Sequence, residues 1–294
     1  MKILITGANG FLGKNLISKL DKHNFKTLIV VRKIKNYPKN FKIIKSDIGN
    51  INKKNLKIIK NFKQKIIINL AWNGIPDFSL KNSLNNFLTH CKFINQICNI
   101  KSVKKIIMTG SCWEYPPNKG KCKETDDITP LNAFTWSKIN LFNYLKHQAK
   151  IKKINFIWFR IFFMYGKYQK KQSLIPYIIS SLKKKKKPRI KEPTNKNDFI
   201  HVDDVCEAII SSIKKKNING IFNLGSGKLT SVLEIYTVIL KNLGITSNKY
   251  KISKIKEKKK LCNFADTKKL FNEIKFKPKN NIYFGISKIL NFKT

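Results

Sequence analysis

Apolar residues along this chain fall into short continuous runs, and stretches with helical spacing separate them. KILIT (2–6), TLIVV (27–31), KIIK (42–45), KIIINL (65–70), KKIIMT (104–109) and NFIWFR (155–160) are the runs. Because they lack polar alternation, they predict strands buried on both faces, as in a parallel sheet covered by helices. Between them the spacing predicts helices near 11–22, 52–63, 79–99, 134–149 and 203–214. Strand–helix alternation of this kind predicts an α/β fold with a doubly wound parallel sheet. After about residue 166 the pattern loosens, interrupted by Pro176, the lysines 183–187, Pro188 and Pro193. The expected organisation is a main domain over 1–166, to which 198–225 contribute, and a smaller, partly interleaved C-terminal region over 167–294.

Composition adds bounds. The 294 residues are 42% hydrophobic, enough for a large core. No apolar run reaches the length that spans a bilayer. The opening MKILITG reads as a buried strand and not as a cleavable leader, so a cytoplasmic protein is expected. A net charge of +45 raises nucleic-acid binding as a function class. The kind of cation argues against it: arginine stands only at 32, 160 and 189, which leaves 61 − 3 = 58 lysines. Phosphate and base recognition favour the fixed fork of arginine. The lysine runs 183–187 and 258–260 therefore read as solvated faces, and no specific nucleic-acid partner is expected. Six cysteines stand at 91, 98, 112, 122, 206 and 262, without a C-x-x-C pair or histidines at zinc spacing. Five of them read as reduced thiols in or near the core, with Cys112 taken up below, and no metal site is expected.

GANGFLG (7–13) lies between the first strand and the first helix. There, Gly7 permits the tight turn, Gly10 lets backbone approach a pyrophosphate, and Gly13 lets the helix pack on the sheet. Helix-start N–H groups at Phe11 and Leu12 then face the anion. The placement predicts a Rossmann-type dinucleotide site. The second strand ends VVRK, with Arg32 and Lys33 and no carboxylate, which favours NADP over NAD. Asp47, in KSDI, is expected at the adenine edge.

With these residues in place the chain resembles the extended short-chain dehydrogenase/reductases, and more narrowly the nucleotide-sugar epimerase/dehydratase family. GANGFLG, the Asp47-Ile48 pair, INLAW (68–72), IIMTGSCWEYP (106–116), FTWSK (134–138), WFRIFFMYG (158–166), NDFIHVDDVCEAI (197–209), FNLGSG (222–227) and FKPKNNIYFGI (276–286) match its markers in order. The resemblance implies that Ile48, Leu70 and Ala71 help wall the cofactor. It implies a nucleotide-sugar substrate with oxidoreduction at sugar C4, in making an unusual sugar for a surface polysaccharide. It also implies a homodimer seamed by paired helices. The helix 79–99, apolar at 80, 84, 87, 88, 91, 94 and 98 with Phe93 and Ile97 widening the face, is expected to cover the sheet with one side and join that seam with the rest.

In the family, a tyrosine exchanges a proton with the sugar, a lysine four residues later lowers its pKa and holds the nicotinamide ribose, and a strand-end serine binds the reacting oxygen. Lys138 and Ser111 match the lysine and the serine. Phe134 stands where the tyrosine belongs, and it has no proton to give. Ser111 with a water, Cys112, Glu114 and Tyr115 are the candidate replacements. The alternative is a catalytically impaired cofactor-binding sensor or partner subunit. Other departures touch the substrate side. Cys112 and Trp113 replace the dehydratase Asp-Glu pair, which argues against a 4,6-dehydratase. Phe163 replaces an asparagine, and Asn197 beside Lys196 replaces a diphosphate-clamping arginine. Arg189 is either a substitute fork or a surface residue. In FIHVDDV, the expected roles of His201, Asp203 and Asp204 are structural, with an aspartate capping the following helix.

Overall fold

A computed structural model describes residues 1–246, 248–250, 252 and 261–291. Seven strands form one parallel sheet: β1 (Lys2–Thr6), β2 (Lys26–Val31), β3 (Lys42–Lys45), β4 (Ile66–Asn69), β5 (Lys105–Ser111), β6 (Asn155–Ile161) and β7 (Gly220–Leu224). Their spatial order is β7-β6-β5-β4-β1-β2-β3. The chain starts in the middle, winds outward to β3, then returns past β1 to build the other half. Between β1 and β4 the winding direction reverses, and this opens a crevice at the strands' carboxyl ends.

Helices cover both faces. On one side α1 (Phe11–Leu20) and α6 (Val202–Lys214) bury Leu16, Leu20, Val205 and Ile209 against Ile3, Ile5 and Ile29. On the other, α2 (Lys53–Phe62), α3 (Leu80–Cys98) and α4 (Ala133–Ile151) bury Ile59, Phe93, Ile94, Leu141 and Leu145 against Leu4, Leu28, Ile67 and Ile106. Neighbours such as Ile3 and Leu4 thus serve opposite faces, as the strand period of two requires. Each such fully buried Leu or Ile contributes roughly 1.5–3 kcal/mol.

The C-terminal region has a separate apolar cluster. It is built from α5 (Leu174–Lys183), α7 (Val232–Asn242) and α8 (Ile282–Leu290) around Ile178, Ile235, Tyr236 and Ile286. Pro176, read from the sequence as a breaker, lies in the first turn of α5, where a missing N–H removes no helical bond. Asp198, fully buried, stitches this region together by accepting from the backbone N–H of Ser226 (2.6 Å), Gly227 (3.0 Å) and Ala265 (2.9 Å). Lysines 183–187 are exposed, as expected, whereas 258–260 lie outside the described residues.

The expected apolar face of α3 needs correction. Phe93, Ile94, Ile97 and Cys98 are buried, but so are Ser83, Asn86 and His90, while Leu80 and Leu88 are exposed. The first half of α3 turns a polar stripe to the crevice, Leu80 and Leu88 face outward, and Phe87 packs half-buried against the core.

Candidate active site

The glycine turn leaves β1 with Gly7 at φ +73°, in the left-handed region. A Cβ there would stand 2.5 Å from the Ala71 nitrogen, so β4's exit and the turn are packed backbone on backbone. Gly10 N donates to Gly7 O (2.9 Å), and α1 begins at Phe11 with Gly10 as N-cap and no side chain capping it. The first-turn N–H groups are therefore available to an anion. Leu12 is buried in the core, so it meets a ligand only through backbone, whereas Phe11 packs half-buried against that core.

A cavity of about 850 Å³ runs from this turn along the crevice. Gly7, Gly10, Arg32, Asp47, Ile48, Leu70 and Ala71 line it. Lys33 and Lys35 join Arg32 at the far end, and no acidic side chain ends β2. Tyr37 OH donates to Asn9 Oδ1 (2.8 Å) and Asn9 Nδ2 donates to Lys33 O (2.7 Å), fastening the basic segment to the glycine turn. Arg32 Nη2 donates to Asn73 Oδ1 (3.1 Å), and Asn73 N donates to Asn86 Oδ1 (2.7 Å). An uncapped helix start, a turn with no room for a Cβ and a basic far end together fit a phosphate-bearing dinucleotide.

At the other end of the cavity stands Trp72, and behind it Lys138. Lys138 Nζ donates to Thr109 O on β5 (2.8 Å) and lies 3.8 Å from the Trp72 ring centroid. Burial pushes the Lys138 pKa down to about 7, and the Glu114 carboxylate opposes the shift. Phe134, one helical turn earlier on α4, packs edge-on against Trp72 (5.6 Å between centroids), with Phe78 at 4.9 Å and Trp113 at 6.2 Å. An aromatic box thus surrounds the position where a phenol was expected.

Ser111 ends β5 and caps the short turn 112–114. Its hydroxyl accepts from Trp113 N (3.2 Å), and Glu114 Oε1 accepts from its backbone N–H (2.8 Å). Gly110 is required here, because a Cβ would overlap Trp158 Nε1 and Glu114 Oε1.

Three of the four candidate replacements for the phenol are committed elsewhere. Glu114 is fully buried and ion-paired with Arg160 (2.8 Å). Tyr115 OH donates to Asn223 Oδ1 (2.7 Å) and accepts from Arg160 Nη1 (2.9 Å). Burial drives the Tyr115 phenol and the Cys112 thiol well above their ordinary ranges. Ser111, partly exposed, is left.

Several side chains that the sequence reading missed shape the site. His90 is buried, stacks on Trp72 (5.3 Å) and places its ring nitrogens 2.7 Å from Asn86 O and Ala71 O. Burial outweighs those carbonyls and pushes its pKa down to about 4. Asn82, Asn86 and His90 recur every four residues, so the stripe is visible in the sequence as a spacing.

On the substrate side, Arg189 is exposed and Asn197 belongs to a two-residue strand paired with 230–231. In FIHVDDV the cap is His201, whose Nδ1 accepts from Asp203 N (3.2 Å), and not an aspartate. Asp203 pairs with Lys288 (3.1 Å), and Asp204 accepts from the Lys279 and Asn280 amides. Both carboxylates fasten α6 to α8's approach. Among the described residues no helix is long and apolar enough to cross a membrane.

A seven-stranded doubly wound sheet with a glycine turn at its switch point defines a dinucleotide-binding protein of the short-chain dehydrogenase/reductase kind. The chain belongs to the NAD dependent epimerase/dehydratase family, which matches residues 3–225. It is 25% identical over 304 residues to an ADP-L-glycero-D-manno-heptose-6-epimerase of Brachyspira hyodysenteriae, covering 97% of this chain and 96% of that protein. It is 27% identical over 307 residues to a putative UDP-glucose 4-epimerase of Methanocaldococcus jannaschii, covering 99% and 97%. Its fold is similar to that of UDP-glucuronic acid 4-epimerase from Bacillus cereus, solved in complex with UDP-glucuronic acid and NAD. There the TM-score is 0.82 at 21% identity, with 98% of each chain covered.

Proposed function

We propose that this chain binds NADP(H) and epimerises or reduces a nucleotide-linked sugar at C4. The sugar is destined for a surface polysaccharide, and the enzyme works in the cytoplasm as a homodimer. Residues 1–166 with 198–225 hold the cofactor, and 167–294 mainly hold the substrate. The observation that carries the reading is the continuous path from the glycine turn, past Arg32 and Lys33, to Trp72 with Lys138 fixed behind it.

A nicotinamide cofactor supplies hydride exchange when bound. Gly10 and the α1 amides bind its diphosphate, Asp47 and Ile48 border the adenine, and Arg32 with Lys33 bind the 2′-phosphate. Leu70 and Ala71 wall the nicotinamide half, and Lys138 holds the ribose. The Ser111 hydroxyl donates to the reacting sugar oxygen. Phe134 contributes packing and no proton, so a rate deficit of roughly 10²–10⁴ relative to a positioned acid–base group is expected. The outward apolar residues Leu88 (55% exposed) on α3 and Trp136 (40%) on α4 support the dimer seam.

Thermal melts with NADPH and NADH test the reading, because a ligand stabilises in proportion to its affinity for the folded state. NADPH is expected to raise Tm more than NADH, and Arg32→Ala to abolish the difference. Equal shifts in the wild type overturn the cofactor preference. No shift from either, with no turnover of nucleotide-4-ketosugars, overturns the function.

A further inference from the structure

A second cavity lies away from the crevice. It holds about 840 Å³ and shares no lining residue with the cofactor cavity. The crevice opens at the carboxyl ends of the strands, whereas this cavity lies at the amino end of the edge strand β7, beside the last turns of α4. Its size falls within the range of small-molecule sites, roughly 300–1,000 Å³.

The floor is apolar. Phe142, Ala149, Ile154 and Phe156 belong to the core under α4 and β6, and Ile221 on β7 packs half-buried against them. Gly220 keeps the floor open at its edge. Its φ of +116° disfavours any side chain, and a Cβ there would meet only Lys269 Nζ, at 3.7 Å.

The rim is basic. Lys146 and Lys150 stand four apart on α4, on the face that carries Phe142 and Ala149. Lys123, Lys268 and Lys269 complete the rim from two other segments, and Lys269 Nζ lies 4.7 Å from the Phe222 ring centroid. The two acids of the lining are committed elsewhere: Glu124 Oε1 accepts from Asn223 N (2.8 Å), and Asp266 pairs with Lys121 (3.4 Å). Among the described residues, no carboxylate lies within ion-pair distance of any of the five rim lysines. The rim therefore carries positive charge without a partner above an apolar floor.

That combination selects among occupants. A second copy of this chain would bring another net charge of +45 to the rim, and like charges repel. Phosphate recognition along a nucleic acid favours arginine, and no arginine lines the cavity. A small molecule with an aliphatic body and one anionic head matches floor and rim together.

We propose that this cavity binds an aliphatic monocarboxylate, with its chain laid on Phe142, Ala149, Ile154 and Ile221 and its head held by Lys146, Lys150 and Lys268. The site stands apart from the function proposed above and does not depend on it.

Calorimetric titration of the full chain with decanoate, below its micellar concentration, tests the site. Binding of one decanoate per chain is expected. Decanol keeps the chain and lacks the charge, and acetate keeps the charge and lacks the chain; each is expected to bind at least about tenfold more weakly. Lys146→Glu with Lys150→Glu changes two exposed side chains, leaves the floor intact and is expected to weaken decanoate by about tenfold or more. Lys184→Glu with Lys186→Glu makes the same change in net charge on the exposed run after α5, and is expected to leave binding as it is. Where the rim variant fails to fold, the wild type supplies the readout: decanoate is expected to protect Lys146 and Lys150 from acetic anhydride. Saturating NADPH is expected to leave decanoate binding unchanged. No binding, no protection of the two lysines, or decanol binding as tightly as decanoate overturns the proposal. So does equal loss in both double variants, which marks adsorption to a basic surface, and so does displacement by NADPH, which places the ligand in the crevice. A wild type that light scattering shows as a larger oligomer than the rim variant makes the cavity an interface between copies, and that outcome overturns it as well.

Discussion

Lys138 Nζ lies 3.8 Å from the centroid of the Trp72 indole, within cation–π range, and the residue is only 5% exposed. This enclosure makes the lysine's charge visible in folding. Its folded-state pKa is lowered to about 7 from an ordinary 10.5, so the folded protein prefers the neutral amine. Between those values the unfolded chain binds more protons, and stability rises with pH; below about 7 the penalty is fully present. Lys105, lowered to about 8, acts in the same sense, so the difference between wild type and Lys138→Met isolates Lys138. Urea unfolding at pH 7, 8 and 9 is expected to show the wild type gaining on the variant by about 1 kcal/mol per pH unit. Parallel pH dependences contradict it.

Phe134 sits 5% exposed among three aromatic rings, one turn before Lys138. Phe134→Tyr restores a phenol at the i, i+4 spacing that puts it on the lysine's face. Turnover of a panel of nucleotide-4-ketosugars is expected to rise by roughly 10²–10⁴. A wild type that turns over, with a tyrosine variant that gains little, assigns the proton to another group, and Ser111 is the one the geometry leaves.

A Cβ on Gly13 would overlap the Gly7 carbonyl oxygen and stand 2.7 Å from Ala8 Cα, both of them backbone atoms that cannot rotate away. Gly13→Ala therefore pushes α1 off the turn. A loss of stability of about 1–3 kcal/mol or more is expected in urea unfolding. NADPH-induced stabilisation should fall with it, because the α1 amides move together. A variant of wild-type stability contradicts the close packing.

The sheet was legible because its strands are unbroken apolar runs, and the cofactor crevice because glycines at fixed spacing leave few alternatives. The seventh strand, Gly220–Leu224, was noted only as a family marker: GIFNL is short and carries Asn223, whose amide serves the buried Tyr115 and Cys122 O. The α3 face was misassigned because apolar spacing names a stripe but not what it faces, and here the cavity claims the polar one. The aromatic box could not be read from sequence, since Trp72, Phe78, Trp113 and Phe134 come from three separate segments. The roles of Glu114 and Tyr115 were hidden for the same reason: their partner Arg160 lies some forty residues on.

Gln64, between α2 and β4, is fully buried, and among the described residues neither its Oε1 nor its Nε2 has a hydrogen-bond partner. An unpaired buried amide costs about 1–3 kcal/mol, whereas an apolar side chain of the same shape has no such penalty. Methionine matches glutamine in length and flexibility, so Gln64→Met is expected to stabilise the protein by about 1–2 kcal/mol in urea unfolding. Gln64→Ala removes the same polar atoms but opens a cavity, and is expected to destabilise it. The two variants separate polarity from volume. If Gln64→Met loses stability instead, the amide is held by an internal water, and the buried end of β4 is a hydrated site.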